Sequence, residues 1–231
     1  MTRILIALFL CITAMVPART AQAETLELTD RLVLLNGAIN AASIAKAIKE
    51  VMEFEAQSND PIWLMIDSFG GSVDAGFILI DVIRSIQSPV HAIVTGKAYS
   101  MGAIITVYCP RRYIFPHATM MFHEASYGAL GEDPSIRSRM EFNSRYLDRI
   151  HVEIAELIGM PVEDYRNRIR DAWWVLAPEA VEAGFVEAVV TSVTYDKLPT
   201  ETVEIKRTTT IKTRSVTRPS DAPEPSQNSP R

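Results

Sequence analysis

The 231-residue chain is 48% hydrophobic and 22% charged, a composition typical of one well-buried globular domain with room for a tail. Its formal net charge of −5 and pI near 5.5 argue against nucleic-acid binding, which usually needs a basic patch and a high pI. We therefore expect no nucleic-acid partner.

The first residues predict an export signal. Arg3 gives a basic start, residues 4–15 form an apolar run, and Ala21-Gln22-Ala23 offers small residues to a signal peptidase. The run is shorter than the ~20 apolar residues of a membrane-spanning helix, which favours cleavage over an uncleaved anchor. We expect residues 1–23 to be a signal peptide and the protein to be exported, with the bacterial periplasm as its compartment. A membrane partner is expected only if the signal stays uncleaved.

Strand and helix patterns then alternate along the chain, since short apolar runs predict strands and helical spacing of apolar residues predicts helices. Strands are predicted at 32–35, 62–66, 90–95, 119–122 and 186–190, and helices at 41–56, 74–86, 101–108, 134–158 and 177–183. Asn36-Gly37 is predicted to be a turn that ends the first strand. The alternation favours an α/β domain with a mainly parallel sheet over residues 24–195. Residues 196–231 are rich in Thr, Pro, Ser and charge and predict a disordered polar tail.

Cleavage of the signal would remove Cys11 and leave Cys109 without a disulfide partner inside the chain. Cys109 follows an apolar helical stretch, so we expect a buried small side chain rather than a reactive thiol.

Three stretches at predicted strand ends carry residues suited to chemistry, and each has a structural alternative. Asp67-Ser68-Phe69-Gly70-Gly71-Ser72 offers two glycines for close approach to a ligand, or a plain turn. Ser100 lies between a strand and an apolar helix, where it is either a nucleophile beside free helix N–H groups or a helix cap. His123 ends a strand, either as a general base or as a structural histidine. The other three histidines are predicted to be structural: His91, His117 and His151.

In this order, the three stretches resemble the proteolytic subunit of the Clp protease, of the Clp–crotonase fold. The resemblance runs from about Leu26 to Val193, and its motifs are residues 67–73, 98–103, 121–123 and 177–184. It implies repeated ββα-type units with a mainly parallel sheet, a protruding helix at 134–158 and assembly of identical chains into a ring.

The resemblance also implies a serine peptidase. Ser100 would be the acylated nucleophile and His123 the general base and later the acid, while the backbone N–H groups of Gly71 and Met101 would form the oxyanion hole. The substrate would be a peptide or an unfolded protein segment, and neither a cofactor nor a metal is expected. Three residues would border the channel in which an extended substrate pairs its backbone: Gly70, Ser72 and Val73.

The acid of the triad is where the sequence departs from the family pattern. Counted back from Ala177-Pro178-Glu179-Ala180, the family's aspartate position falls on Ala172, and Asp171 lies one residue earlier. We take Asp171 as the orienting acid. A Ser–His dyad or an inactive protein is the alternative.

Export also separates the chain from cytosolic unfoldases, so an ATPase partner is not expected. Two other hypotheses stay open. In one, the chain is a catalytically impaired scaffold or binding protein, which Ala172 suggests. In the other, it is a signal-peptide-peptidase-like hydrolase in which Lys97 pairs with Ser100. An acyl-CoA enzyme of the crotonase group fits less well because of the serine motif.

Overall fold

A computed structural model describes residues 23–126, 128 and 130–195. The predicted signal peptide, except its last residue, and the predicted tail lie outside these residues, so both stay predictions.

Strands and helices alternate through the described residues, all of which fall in one compact unit. The strands are β1 (Ala23–Leu28), β2 (Leu32–Ile39), β3 (Ile62–Gly71), β4 (Val90–Tyr99), β5 (Arg112–Ile114), β6 (Thr119–Phe122), β7 (Trp173–Leu176) and β8 (Ala188–Tyr195). The helices are α1 (Ala41–Glu55), α2 (Val73–Ser85), α3 (Met101–Tyr108), α4 (Asp133–Ile158), α5 (Val162–Ile169) and α6 (Ala177–Glu182).

The strands form one sheet in the order β1-β8-β5-β4-β3-β2, and every pair along this path is parallel. Strand β6 pairs in parallel with residues 97–99 at the end of β4. It also pairs with β7, and this is the antiparallel pair among the described strands. Parallel strands need crossover connections, which the intervening helices supply. This topology confirms the mainly parallel α/β fold.

Alternation along the strands divides the buried side chains between two faces of the sheet. Leu64 and Ile66 of β3 belong to the large core that includes side chains of the helices, whereas Trp63 belongs to a smaller cluster with Ile93 and Tyr113. The near-continuous apolar runs of β3 and β4 follow from this burial on both faces.

Local signals explain several helix boundaries. Asn40 begins α1 because its side chain accepts hydrogen bonds from the N–H groups of Ala42 and Ser43, and the Ser43 hydroxyl accepts one in return from the Asn40 N–H. Gly159 ends α4 in the left-handed conformation with φ of +71°. The predicted helices at 41–56, 101–108 and 134–158 are confirmed to within a residue at each end.

The predicted turn at Asn36-Gly37 is wrong. Strand β2 continues through it to Ile39, and the pairing with β3 shifts register between Gly37 and Ala38. Gly37 adopts φ of +75°. This left-handed conformation produces an irregularity in the strand pairing, and the chain does not reverse direction. Strands β1, β5 and β7 and helix α5 were not predicted.

Cys109 is 1% exposed, as expected, and burial raises the pKa of its thiol to about 12. No helix of the described residues combines the length and apolarity needed to cross a bilayer.

Candidate active site

The sheet register brings Ser100 and His123 to the same edge. Tyr99 at the end of β4 pairs with Met121 of β6, and the Ser100 N–H donates a hydrogen bond to the Met121 carbonyl at 2.8 Å. Ser100 follows β4 directly and His123 follows β6 directly, so the carboxyl ends of two neighbouring parallel strands present both side chains. Strand ends at this edge are where α/β sheets place ligands.

Ser100 stands on a sharp turn from strand to helix. Its φ of +53° and ψ of −121° are rare for a residue with a side chain, and such strained positions cluster at functional sites. The hydroxyl makes no cap hydrogen bond to α3, which excludes the helix-cap alternative. Instead, Ser100 Oγ lies 2.8 Å from His123 Nε2, within reach for proton transfer.

The two glycines at the end of β3 allow the backbone to approach Ser100. Gly70 has φ of +92°, and a Cβ there would lie 2.7 Å from both Ser100 Cβ and the Tyr99 carbonyl oxygen. Gly71 has φ of +151°, and a Cβ there would overlap the Ile39 backbone. The close approach to Ser100 therefore requires glycine at position 70, and the close approach to β2 requires glycine at position 71.

The candidate oxyanion donors flank the serine. The backbone nitrogen of Met101 would lie 3.2 Å from a Cβ on Gly70, so the end of β3 and the start of α3 meet here. Met101 is the first residue of α3, and the first N–H groups of a helix have no acceptor within it. Gly71 and Met101 both line the cavity beside Ser100.

The other predicted substrate-binding residues are placed differently. Gly70 and Val73 line the cavity, and Val73 is the first residue of α2. The Ser72 side chain is engaged as the cap of α2, where its hydroxyl accepts a hydrogen bond from the Ala75 N–H at 3.2 Å. Ser72 is thus left to act on a substrate through its backbone.

A cavity of about 310 Å³ opens beside Ser100 and His123. Its wall residues are mostly apolar, and α4 supplies four of them, more than any other element. They include a histidine and a tyrosine that the sequence did not mark as site residues. Along α4 and α5 the wall consists of Leu147, Ile150, His151, Ile154 and Tyr165.

The structure does not bring Asp171 to the imidazole. The antiparallel ladder of β6 with β7 ends at the pair Phe122–Trp173, and the residues just beyond that pair are His123 and Ala172. Asp171 is exposed and makes no hydrogen bond or ion pair with any described residue. Within the same residues, His123 has no hydrogen bond besides the one to Ser100. The candidate site is therefore a Ser–His pair in which no described residue is a hydrogen-bond partner of Nδ1.

Lys97 is not available to Ser100 as a base. Its Nζ lies 2.9 Å from Asp67 Oδ1, and this hydrogen bond and the charge of Asp67 raise the pKa of Lys97. A lysine that stays protonated and paired in this way does not activate a serine hydroxyl. The geometry thus disfavours the Ser–Lys hypothesis.

This site is of the serine hydrolase class. Its serine stands on a strained strand–helix turn and is hydrogen bonded to a histidine, with candidate oxyanion donors beside it. No cluster of metal-ligating side chains occurs in the described part of the chain.

Comparison with known proteins gives the family. The profile of the Clp protease family matches residues 18–193. The ATP-dependent Clp protease proteolytic subunit 1 of Chlamydia muridarum is 34% identical over 174 residues, which cover 71% of this chain and 88% of that protein. The subunits of the same name from Chlamydia trachomatis serovar D and Chlamydia caviae are each 33% identical, over 71% and 70% of this chain and 88% and 87% of their own lengths. The chain belongs to the Clp protease family and is a Clp protease-like peptidase.

Proposed function

We propose that this protein is a serine endopeptidase that cleaves peptides or unfolded protein segments through an acyl-enzyme. The observation that carries the proposal is the 2.8 Å contact between Ser100 Oγ and His123 Nε2. It lies at a cavity that Gly71 and Met101 also line. Nucleophile, base and oxyanion donors then surround one point where a carbonyl carbon can sit.

In the acylation step, His123 Nε2 accepts the hydroxyl proton while Ser100 Oγ attacks the peptide carbonyl carbon. The oxygen that becomes negative is stabilised by the N–H groups of Gly71 and Met101, and each such donor contributes about 2.7–4 kcal/mol in serine proteases. His123 then gives its proton to the leaving amine as the C–N bond breaks. In the second step a water attacks the carbonyl carbon of the ester while His123 accepts its proton. The bond between that carbon and Ser100 Oγ then breaks, His123 returns the proton to Oγ, and the carboxylic acid product leaves.

We propose that the imidazole works without a carboxylate partner. Ala172 lies just beyond the last β6–β7 pair, next to which His123 follows β6, and Asp171 forms no hydrogen bond with the ring. Loss of the aspartate carboxylate in a serine protease triad lowers turnover about 10⁴-fold because the histidine is held in the wrong tautomer. A dyad in this chain is therefore a slow catalyst compared with a full triad.

Export and independence from an ATPase belong to the same proposal. The relatives are named ATP-dependent, whereas the present sequence starts with the signal-like pattern of Arg3, residues 4–15 and Ala21–Ala23. Cleavage after Ala23 would leave Glu24, which lies in β1, as the first residue, so a segment ahead of the sheet that could meet an unfoldase would be short or absent. We also propose that identical chains assemble into a ring, because the resemblance to the family implies it.

A second candidate function is a catalytically impaired scaffold or binding protein. The alanine just beyond the last β6–β7 pair favours it, because a histidine without an orienting group is a weak base.

Labelling with a fluorophosphonate probe separates the two functions. The folded wild-type protein is expected to label and to cleave fluorogenic peptides, and Ser100→Ala is expected to lose both properties. Ser138→Ala is the matched control, since Ser138 is an exposed serine of α4 without a hydrogen bond to described residues. A folded wild-type protein that neither labels nor cleaves would overturn the peptidase and support the scaffold.

A further inference from the structure

One polar side chain interrupts the apolar wall that α4 presents to the cavity. Leu147, Ile150, His151 and Ile154 all line it, at the spacing i, i+3, i+4 and i+7 that defines one face of a helix. Three of these four positions are aliphatic, so the imidazole of His151 is a single hydrogen-bonding group in an otherwise hydrophobic stripe.

The His151 ring is held in place but not hydrogen bonded. It packs against Tyr165 of α5 with ring centroids 5.8 Å apart in an edge-on arrangement. It forms no hydrogen bond with any described residue, although it is half-buried. A polar group removed from water without a partner costs free energy, which a ligand that supplies the partner can recover.

The surroundings keep this imidazole uncharged at neutral pH. Burial is the main cause that lowers the pKa of His151, and the nearby Arg166 lowers it further. Asp148 and Glu124 act in the opposite direction but do not reverse the shift. A neutral imidazole presents one N–H donor and one nitrogen acceptor.

These properties define the chemistry that fits the cavity. The aliphatic stripe favours an apolar stem, and the neutral imidazole favours an uncharged end that can donate and accept a hydrogen bond. A carboxamide or a phenol has such an end, whereas a thioether or a phenyl ring does not.

We propose that His151 is a specificity-determining residue, which selects substrates with a glutamine or tyrosine side chain in the cavity next to Ser100. The inference rests on the proposed function, because the cavity selects the residue before the cleaved bond only if Ser100 is the nucleophile.

Pairs of fluorogenic peptides that differ only at that residue test the proposal. Gln is compared with Met, which has similar length and shape, and Tyr is compared with Phe. The wild-type protein is expected to prefer Gln over Met and Tyr over Phe in kcat/KM. His151→Leu is expected to reduce each ratio about tenfold, the effect of one hydrogen bond of ordinary strength.

Two further variants separate hydrogen bonding from packing. His151→Gln keeps a donor and an acceptor at the cavity wall and is expected to restore part of each ratio. His117→Leu makes the same change at an exposed histidine and is expected to leave the ratios unchanged. Ratios in His151→Leu that stay within about twofold of the wild-type values would overturn the proposal.

Peptide binding decides the question independently of turnover. Fluorescence anisotropy of the same labelled peptides on Ser100→Ala measures the preference directly, and adding His151→Leu to that variant is expected to abolish it. If the wild-type protein is inactive but this binding preference holds, the proposed catalysis fails and the selectivity of the cavity stands. Equal binding of each pair to Ser100→Ala overturns the selectivity alone.

Discussion

The two sides of His123 are built differently. On one side, parallel pairing of β4 with β6 sets the ring beside Ser100 at 2.8 Å. On the other, Ala172 lies just beyond the last antiparallel pair of β6 with β7, while Asp171 stays exposed and unbonded.

The difference follows from how each side fixes its residues. Three features fix the position of Ser100: the strand pairing just before it, the hydrogen bond from its N–H to Met121, and the close approach of Gly70. Whether an acid lies beside the ring depends instead on which residue occupies a single position just before β7. Asp171 and Ala172 lie ahead of β7 rather than in it, and Ala172 has φ of +62°, so a shift of one residue changes the direction of the side chain. Asp171 forms no hydrogen bond with the ring.

Removing the histidine is expected to have the largest effect. His123→Ala leaves Ser100 without a base, and we expect kcat/KM for peptide cleavage to fall about 10³-fold or more. His117→Ala is the control, since His117 is exposed and outside the cavity. A decrease below about tenfold for His123→Ala would show that another group takes the proton from Ser100.

Gly70→Ala tests the constraints on the well-fixed side. The added Cβ would lie 2.7 Å from Ser100 Cβ, at a backbone φ of +92° that L side chains rarely adopt. A displacement of the nucleophile by about 1 Å is expected to lower kcat/KM about 100-fold, with a lower Tm. At Gly128 an added Cβ meets nothing within 4 Å, so Gly128→Ala should change neither value. Wild-type kinetics in Gly70→Ala would contradict the close approach.

Ala172→Asp should make the two sides more alike. Ala172 has φ of +62°, a conformation that aspartate and asparagine adopt more readily than alanine, and, like His123, it lies just beyond the last β6–β7 pair. A carboxylate there can orient the imidazole, and we expect kcat/KM to rise about 10- to 100-fold. Ala172→Asn has a similar shape without the charge and is expected to give no such gain. An equal rise in both variants would attribute the gain to the backbone.

The smallest effect is expected at the aspartate beside it. Asp171→Asn removes the charge of an exposed side chain that forms no hydrogen bond with the ring, so kcat/KM should change by less than about twofold. A pH profile of kcat/KM measured beside it should keep its shape. A loss of more than tenfold would assign Asp171 the orienting role that its place in the sequence first suggested.

The same contrast explains what the sequence could and could not predict. Ser100 and His123 were predictable because their motifs stand at strand ends in a fixed order, and parallel strands bring such ends to one edge. The short strands β5 and β7 were not, since segments of three or four residues carry little periodicity. The turn predicted at Gly37 was wrong because a glycine in the left-handed conformation occurs both in turns and in irregular strands.

The role of Asp171 was beyond the sequence for a geometric reason. Counting from a distant motif gives the position of a residue to within one step. Between α5 and β7, where Ala172 has φ of +62°, one step changes the direction in which the side chain leaves the backbone. His151 was interpreted as structural because it follows no strand. The signal that could have found it was its place within the aliphatic stripe of Leu147, Ile150 and Ile154.

Cys109 has a practical consequence for spectroscopy. If the proposed signal peptide is removed together with Cys11, Cys109 is the single thiol of the remaining chain. Since it is buried and its pKa is about 12, it stays a thiol at neutral pH, out of reach of maleimides. A cysteine introduced at an exposed position of α4 would therefore accept one fluorophore or spin label on an otherwise native background. Distances from that label would report movement of the helix that carries His151 as substrates bind.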